Sequence, residues 1–80
     1  MDATELGKKI GSRIRAFRIL RNVSSEELAD VIGVKKNTIT RIEAGRTDIT
    51  GPQLVLIAQK LGTTSSVLTG EHKHHEGEDE

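Results

Sequence analysis

The 80-residue sequence contains no cysteine, tryptophan or tyrosine, and only one phenylalanine, one proline and one methionine. Without cysteine, neither disulfides nor thiolate-bound zinc can staple a small fold, so a secreted disulfide scaffold is excluded. With Phe17 as the sole aromatic, aliphatic side chains must build the core, and stacking of single-stranded bases has no platform. No apolar run approaches the ~18 residues of a membrane span and no signal peptide opens the chain, so it reads as soluble, intracellular and cytoplasmic, with no membrane partner. The length suits one small domain and is too short for a barrel or a doubly wound nucleotide-binding fold.

Charge of either sign is plentiful, and its placement is uneven. Residues 1–70 carry 11 Lys/Arg against 7 Asp/Glu, a net of +4, whereas residues 71–80 carry one Lys against five acids, a net of −4. That asymmetry suits a polyanion-binding body (1–70) with an acidic, His-rich appendage (71–80) that lacks apolar residues and is expected to be disordered. His72, His74 and His75 could bind a transition metal loosely, but nothing around them supplies a second shell, and no metal site is assigned. A −4 segment can also compete with a polyanion for the +4 body.

Apolar spacing is helical throughout. Leu6, Ile10, Ile14 and Phe17 recur at steps of four, four and three, predicting a first helix over residues 4–21, stopped at Asn22. Ser24 with Glu27 three residues later forms a capping box that opens a second helix, on which Leu28, Ala29 and Ile32 face inward. Gly33 stops it in a left-handed conformation. A third helix begins near Lys35 or Lys36, directs Ile39 and Ile42 inward, and closes at Gly45. Thr50 with Gln53, and Pro52 in the first turn, open a fourth helix with Leu54, Ile57, Ala58 and Leu61 inward. A last short turn over residues 65–68 lays Val67 and Leu68 on the core. No period-two alternation or hairpin dipeptide appears, so the fold class is all-α: four helices and a short fifth.

The second and third helices are joined by a turn of only three or four residues. Counting Ser25 as the first residue of a twenty-residue unit, Ala29 is fifth, Gly33 ninth, Ile39 fifteenth and Ile42 eighteenth. A small Ala29 lets the third helix cross over it, Gly33 accepts positive φ, and the two isoleucines pin the third helix to the others. This is the spacing of a helix-turn-helix (about residues 25–44), whose second helix enters the major groove of DNA.

With Ile10-Gly11-Ser12-Arg13-Ile14-Arg15, Ser24-Ser25-Glu26-Glu27-Leu28-Ala29, Gly33-Val34 and Ile39-Thr40-Arg41-Ile42-Glu43-Ala44-Gly45 in register, the chain resembles the phage Cro and repressor (xenobiotic-response-element) type of helix-turn-helix domain. The likeness runs from Ile10 to about Gly70 and implies a lambda-repressor-like bundle. It implies that the exposed face of the recognition helix (about 36–43), here Lys36, Asn37, Thr40 and Arg41, reads bases. The chemistry fits: Lys and Arg donate to guanine O6 and N7, and Asn pairs with adenine N6 and N7. Two lysines at a helix N-terminus also oppose the macrodipole, which makes poor sense for stability and good sense beside a polyanion. Phosphate contacts are expected from Ser24 and Ser25, through hydroxyls and free amides, and from Lys35, Arg46, Thr47 and Arg13. Similar proteins usually carry glutamine where this chain has the shorter Ser25. The resemblance also implies a structural ion pair between Arg18 and Glu43, and a dimer contact after the fourth helix, with Val67 as the candidate. Lys8, Lys9, Arg15 and Arg21 read mainly as solubilising.

Catalytic machinery is not visible: no base is placed to activate a Ser, Asp or Glu, and no glycine loop follows a strand. The sequence therefore predicts a non-enzymatic, cofactor-free regulator that binds double-stranded DNA at a palindromic operator as a homodimer, most simply a prokaryotic or phage repressor, with no small-molecule effector. An antitoxin or restriction-modification controller of the same fold is the nearest alternative. A helix-turn-helix kept as a protein-protein module is the other. Salt separates the last: a binder with 6–10 phosphate contacts loses roughly 10³–10⁵ in affinity between 50 and 200 mM salt.

Overall fold

The computed structural model of the chain describes residues 2–71. The expectations for residues 72–80, including the histidine cluster, fall outside it. Five helices follow in order: α1 (Ala3–Leu20), α2 (Ser25–Ile32), α3 (Lys36–Glu43), α4 (Gly51–Lys60) and α5 (Ser65–Thr69), with no strand among the described residues.

Local chemistry accounts for each start and stop. Three helices open with a reciprocal capping box: Asp2 with Glu5, Ser24 with Glu27, and Thr50 with Gln53. In each, the cap oxygen accepts the N3 amide while the N3 side chain accepts the cap amide, so two orphan donors are satisfied together. The Asp2 box starts α1 at Ala3, one residue earlier than the apolar spacing predicts. Between α2 and α3 the chain reverses at Gly33, φ 71°, whose left-handed backbone lets Val34 N–H donate to Ala29 C=O at 2.9 Å.

The core is aliphatic, as the lack of aromatics requires. Ile14, Leu28, Ile39, Ile57, Leu61 and Leu68 are fully buried, with Ala29, Ile42 and Ala58 nearly so, and Ile10, Phe17, Val23, Ile32, Val34, Ile49 and Leu54 pack around them. No buried polar or charged residue interrupts that core among the described residues. Two expectations need correction. Val67 stays half-buried outside the core cluster, because α5 is a single turn that can commit one side, and it commits Leu68. Leu6 remains 40% exposed; with Ile10, Ile42 and Ile49 it lines a cavity of about 310 Å³ between the start of α1 and the end of α3 with the loop that follows. Within that loop Ile49 packs on the core.

One contact brings α1 against the end of α3 at backbone distance. A Cβ on buried Gly11 would collide with the carbonyl oxygens of Ile42 and Glu43. Gly11 belongs to the Ile10–Arg15 stretch of the family motif, and this close approach is the reason that position holds a glycine.

Candidate nucleic-acid interface

Helix α3 is fixed from below and bare above. Ile39 and Ile42 are buried between α1 and α2, which leaves Lys36, Asn37, Thr40, Arg41 and Ala44 exposed. Those positions fall at i, i+1, i+4, i+5 and i+8, a single helical face. All four residues expected to read bases therefore share one exposed strip. The Thr40 hydroxyl donates back to Lys36 C=O at 3.4 Å, a long bond that a rotation about χ1 releases.

The start of α3 is unusual for a helix N-terminus. Lys35 occupies the cap position without a side-chain capping bond, and the first turn contains no acidic residue. The positive end of the macrodipole and two exposed lysines thus add rather than offset. Compensation comes from a neighbouring helix: Lys36 Nζ lies 3.6 Å from Glu26 Oε2 on α2.

At the start of α2, Ser24 N–H donates to Glu27 Oε1 at 2.8 Å, and Ser24 Oγ accepts Glu27 N–H at 3.0 Å. The Ser24 amide, expected to be free for a phosphate, is therefore occupied by its own cap. The serine hydroxyl proton and the next two amides, which have no i−4 carbonyl, are what remain. The Glu27 carboxyl is held below the usual carboxylate range chiefly by the Ser24 amide bond, helped by the Ser24 hydroxyl and Lys60 against a desolvation cost.

Past α3, Arg46 is exposed and Thr47 half-buried. Lys8 of α1 lies directly against Gly45, and Arg15 Nη1 approaches Glu43 Oε1 at 4.0 Å, so two α1 cations flank the same end of α3. Residue spacing alone gave no sign that Lys8 and Arg15 would converge there. Arg13 is a different case. Its Nη1 donates to Leu68 C=O at 3.3 Å and its guanidinium packs on Gly70, so this side chain, expected at a phosphate, is engaged in tying α5 to α1. Arg21 does the same for α4, donating from Nε to Leu61 C=O at 3.1 Å.

Arg18 and Glu43 form a two-pronged pair: Nε donates to Oε2 at 2.7 Å and Nη2 to Oε1 at 3.3 Å, while Nη1 reaches Val23 C=O at 3.3 Å. The Glu43 hydrogen bond holds the guanidinium above its ordinary pKa, more than offsetting the opposing effect of burial.

Residues 14–68 match the family described as helix-turn-helix. The control protein C.SmaI of Serratia marcescens is 28% identical over 64 residues, which is 80% of this chain and 73% of that protein. The antitoxin PezA of Streptococcus pneumoniae is 27% identical over 64 residues, but the chain spans only 40% of its length. The crystal structure of the clp gene regulator ClgR from Corynebacterium glutamicum superposes with a TM-score of 0.77 at 25% identity, covering 85% of this chain and 72% of that one.

Proposed function

The chain belongs to the helix-turn-helix family, and on that premise we propose that it is a double-stranded DNA-binding transcription regulator whose recognition helix is α3. The single observation that carries this reading is the exposed strip of Lys36, Asn37, Thr40 and Arg41 on a helix held rigidly by its opposite face. Lysine and arginine there donate to guanine, asparagine pairs with adenine, and the threonine methyl can meet that of thymine. Ser24, Ser25, Lys35, Arg46 and Thr47 border the strip and suit phosphate contacts, which set register without reading sequence. Residues 1–70 act as the binding domain and residues 71–80 as an acidic appendage. The protein works in the cytoplasm, as a binder and not an enzyme.

One such helix reads only a few base pairs, so a twofold dimer on half-sites about one helical turn apart supplies the specificity. Val67, half-buried and outside the core, is available for that contact, as are Ile19 and Leu20, 57% and 70% exposed on α1. Blocking polymerase at an operator is the simplest outcome of such binding. Control of a restriction-modification operon is the second reading, favoured by structural likeness to the restriction-modification controller protein C.AhdI from Aeromonas hydrophila, with a TM-score of 0.71 at 25% identity over 96% of that chain.

Selection of bound duplexes from a random pool at near-physiological salt tests the proposal, with the Lys36→Ala/Arg41→Ala variant in parallel. A palindromic motif that the variant loses supports a dimeric operator binder with α3 in the groove. Absence of any enriched motif overturns the reading in favour of a protein-protein module.

A further inference from the structure

Glu26 stands where a DNA-binding surface has least use for a carboxylate. It lies in the first turn of α2, takes no part in the Ser24–Glu27 cap, and its side chain is 66% exposed. Its ion-pair partner is Lys36, 3.6 Å away and itself 58% exposed. So open a pair contributes little to the fold. Its placement matters more: it joins an acid to the first base-facing residue of α3, at a helix start with no cap bond and no acid of its own.

We propose that Glu26 is a positioning residue for Lys36, holding the ammonium toward base edges and away from phosphates, and so setting the ratio of operator affinity to random-sequence affinity. The inference rests on the DNA-binding reading above. A lysine on a four-carbon stem at the mouth of a groove can reach either target, and the phosphate is the sequence-independent attraction. Pairing with Glu26 offsets part of that attraction. At 3.6 Å the contact is electrostatic, so the ammonium donors stay available for guanine O6 and N7. A complex in the correct register regains the loss through the base contact, whereas a complex on random sequence does not. Glu26 thus weakens all binding somewhat and wrong binding most.

The test compares wild type, Glu26→Gln, Lys36→Ala and the double variant by fluorescence anisotropy, on the selected operator and on a scrambled duplex of equal length, from 50 to 200 mM salt. Exposure of Glu26 leaves the fold of Glu26→Gln intact, which a thermal melt checks. Glu26→Gln is expected to bind the scrambled duplex up to roughly fivefold more tightly, as loss of one exposed ion pair allows. Its salt slope should steepen by about 0.9, one added phosphate contact. Its preference should also flatten at a single base position, an effect that vanishes when Lys36 is already alanine. Unchanged slope and preference, with wild type still selecting an operator, overturn this inference alone. Equal weakening on both duplexes with a lower melting temperature assigns Glu26 a merely structural role and overturns it too. If wild type selects no motif, the DNA-binding reading fails and takes this inference with it.

Discussion

Arg18 and Glu43 face each other as a fork, 2.7 and 3.3 Å apart along two parallel contacts, with side chains only 14% and 7% exposed. Glu43 is the last residue of α3, where the negative end of the macrodipole disfavours a carboxylate. Arg18 makes that placement tolerable, and the third guanidinium contact, to Val23 C=O, extends the tie to the loop before α2. The end of α3 is thereby held to α1, and with it the direction in which the exposed strip points.

Removing one partner should therefore cost far more than removing both. Glu43→Ala leaves a largely buried guanidinium without its acceptor and should destabilise the fold by about 3 kcal/mol. Arg18→Met/Glu43→Leu, which leaves no orphaned charge, should recover most of that loss. Chemical denaturation of the single and double variants reads the difference. A double variant as unstable as the single would mean that the pair is needed for packing and not for charge balance.

Two glycines on α1 should respond in opposite directions to the same substitution. Gly11→Ala forces a methyl into the carbonyls of Ile42 and Glu43, an overpacking cost of roughly 1–3 kcal/mol. Gly7→Ala meets nothing within 4 Å and should stabilise by up to about 1 kcal/mol through helix propensity. Melting temperatures moving the same way in both variants would contradict the close approach of α1 to α3.

Arginines expected at phosphates should divide into two kinds. Arg46→Ala should lower DNA affinity and reduce the salt slope by about 0.9 while leaving the melting temperature unchanged. Arg13→Ala should do the reverse, losing about 1 kcal/mol of stability with the Leu68 carbonyl bond and leaving the slope unaltered. A slope that falls for Arg13→Ala would return that residue to the phosphate-binding set.

Acid should weaken the capping box at the start of α2. Glu27 is held below its ordinary pKa, foremost by the Ser24 amide, so the folded state binds its proton only at lower pH than the unfolded chain does. The resulting stabilisation is fully present above the unfolded value, about 4.3, and is lost as pH falls through the lower folded value. An NMR titration following the Glu27 carboxyl and the Ser24 amide should give a common midpoint below 4.3. A midpoint at or above it would show that the capping box does not hold in solution.

Much of this was legible in the chain because it is local. Ser24, Glu27, Thr50 and Gln53 cap within three residues of one another, Gly33 reverses the backbone by itself, and apolar spacing marks the faces that α1 to α4 bury. The exposed strip follows from the same arithmetic, since burying Ile39 and Ile42 turns Lys36, Asn37, Thr40 and Arg41 outward. The Arg18–Glu43 pair was expected only through family resemblance, because nothing in spacing links residues 25 apart.

What the sequence determined by itself was therefore the set of helices, their caps and their faces, all written in hydrogen bonds and periodicities a few residues long. Tertiary structure alone decided that Arg13 and Arg21 would serve carbonyls 55 and 40 residues away, that Val67 would turn from the core, that Glu26 would meet Lys36, and that Gly11 would lie on the end of α3. Those outcomes depend on how closely and at what angle the helices cross, which is set by the packing of all the core side chains together and not by any one stretch of chain.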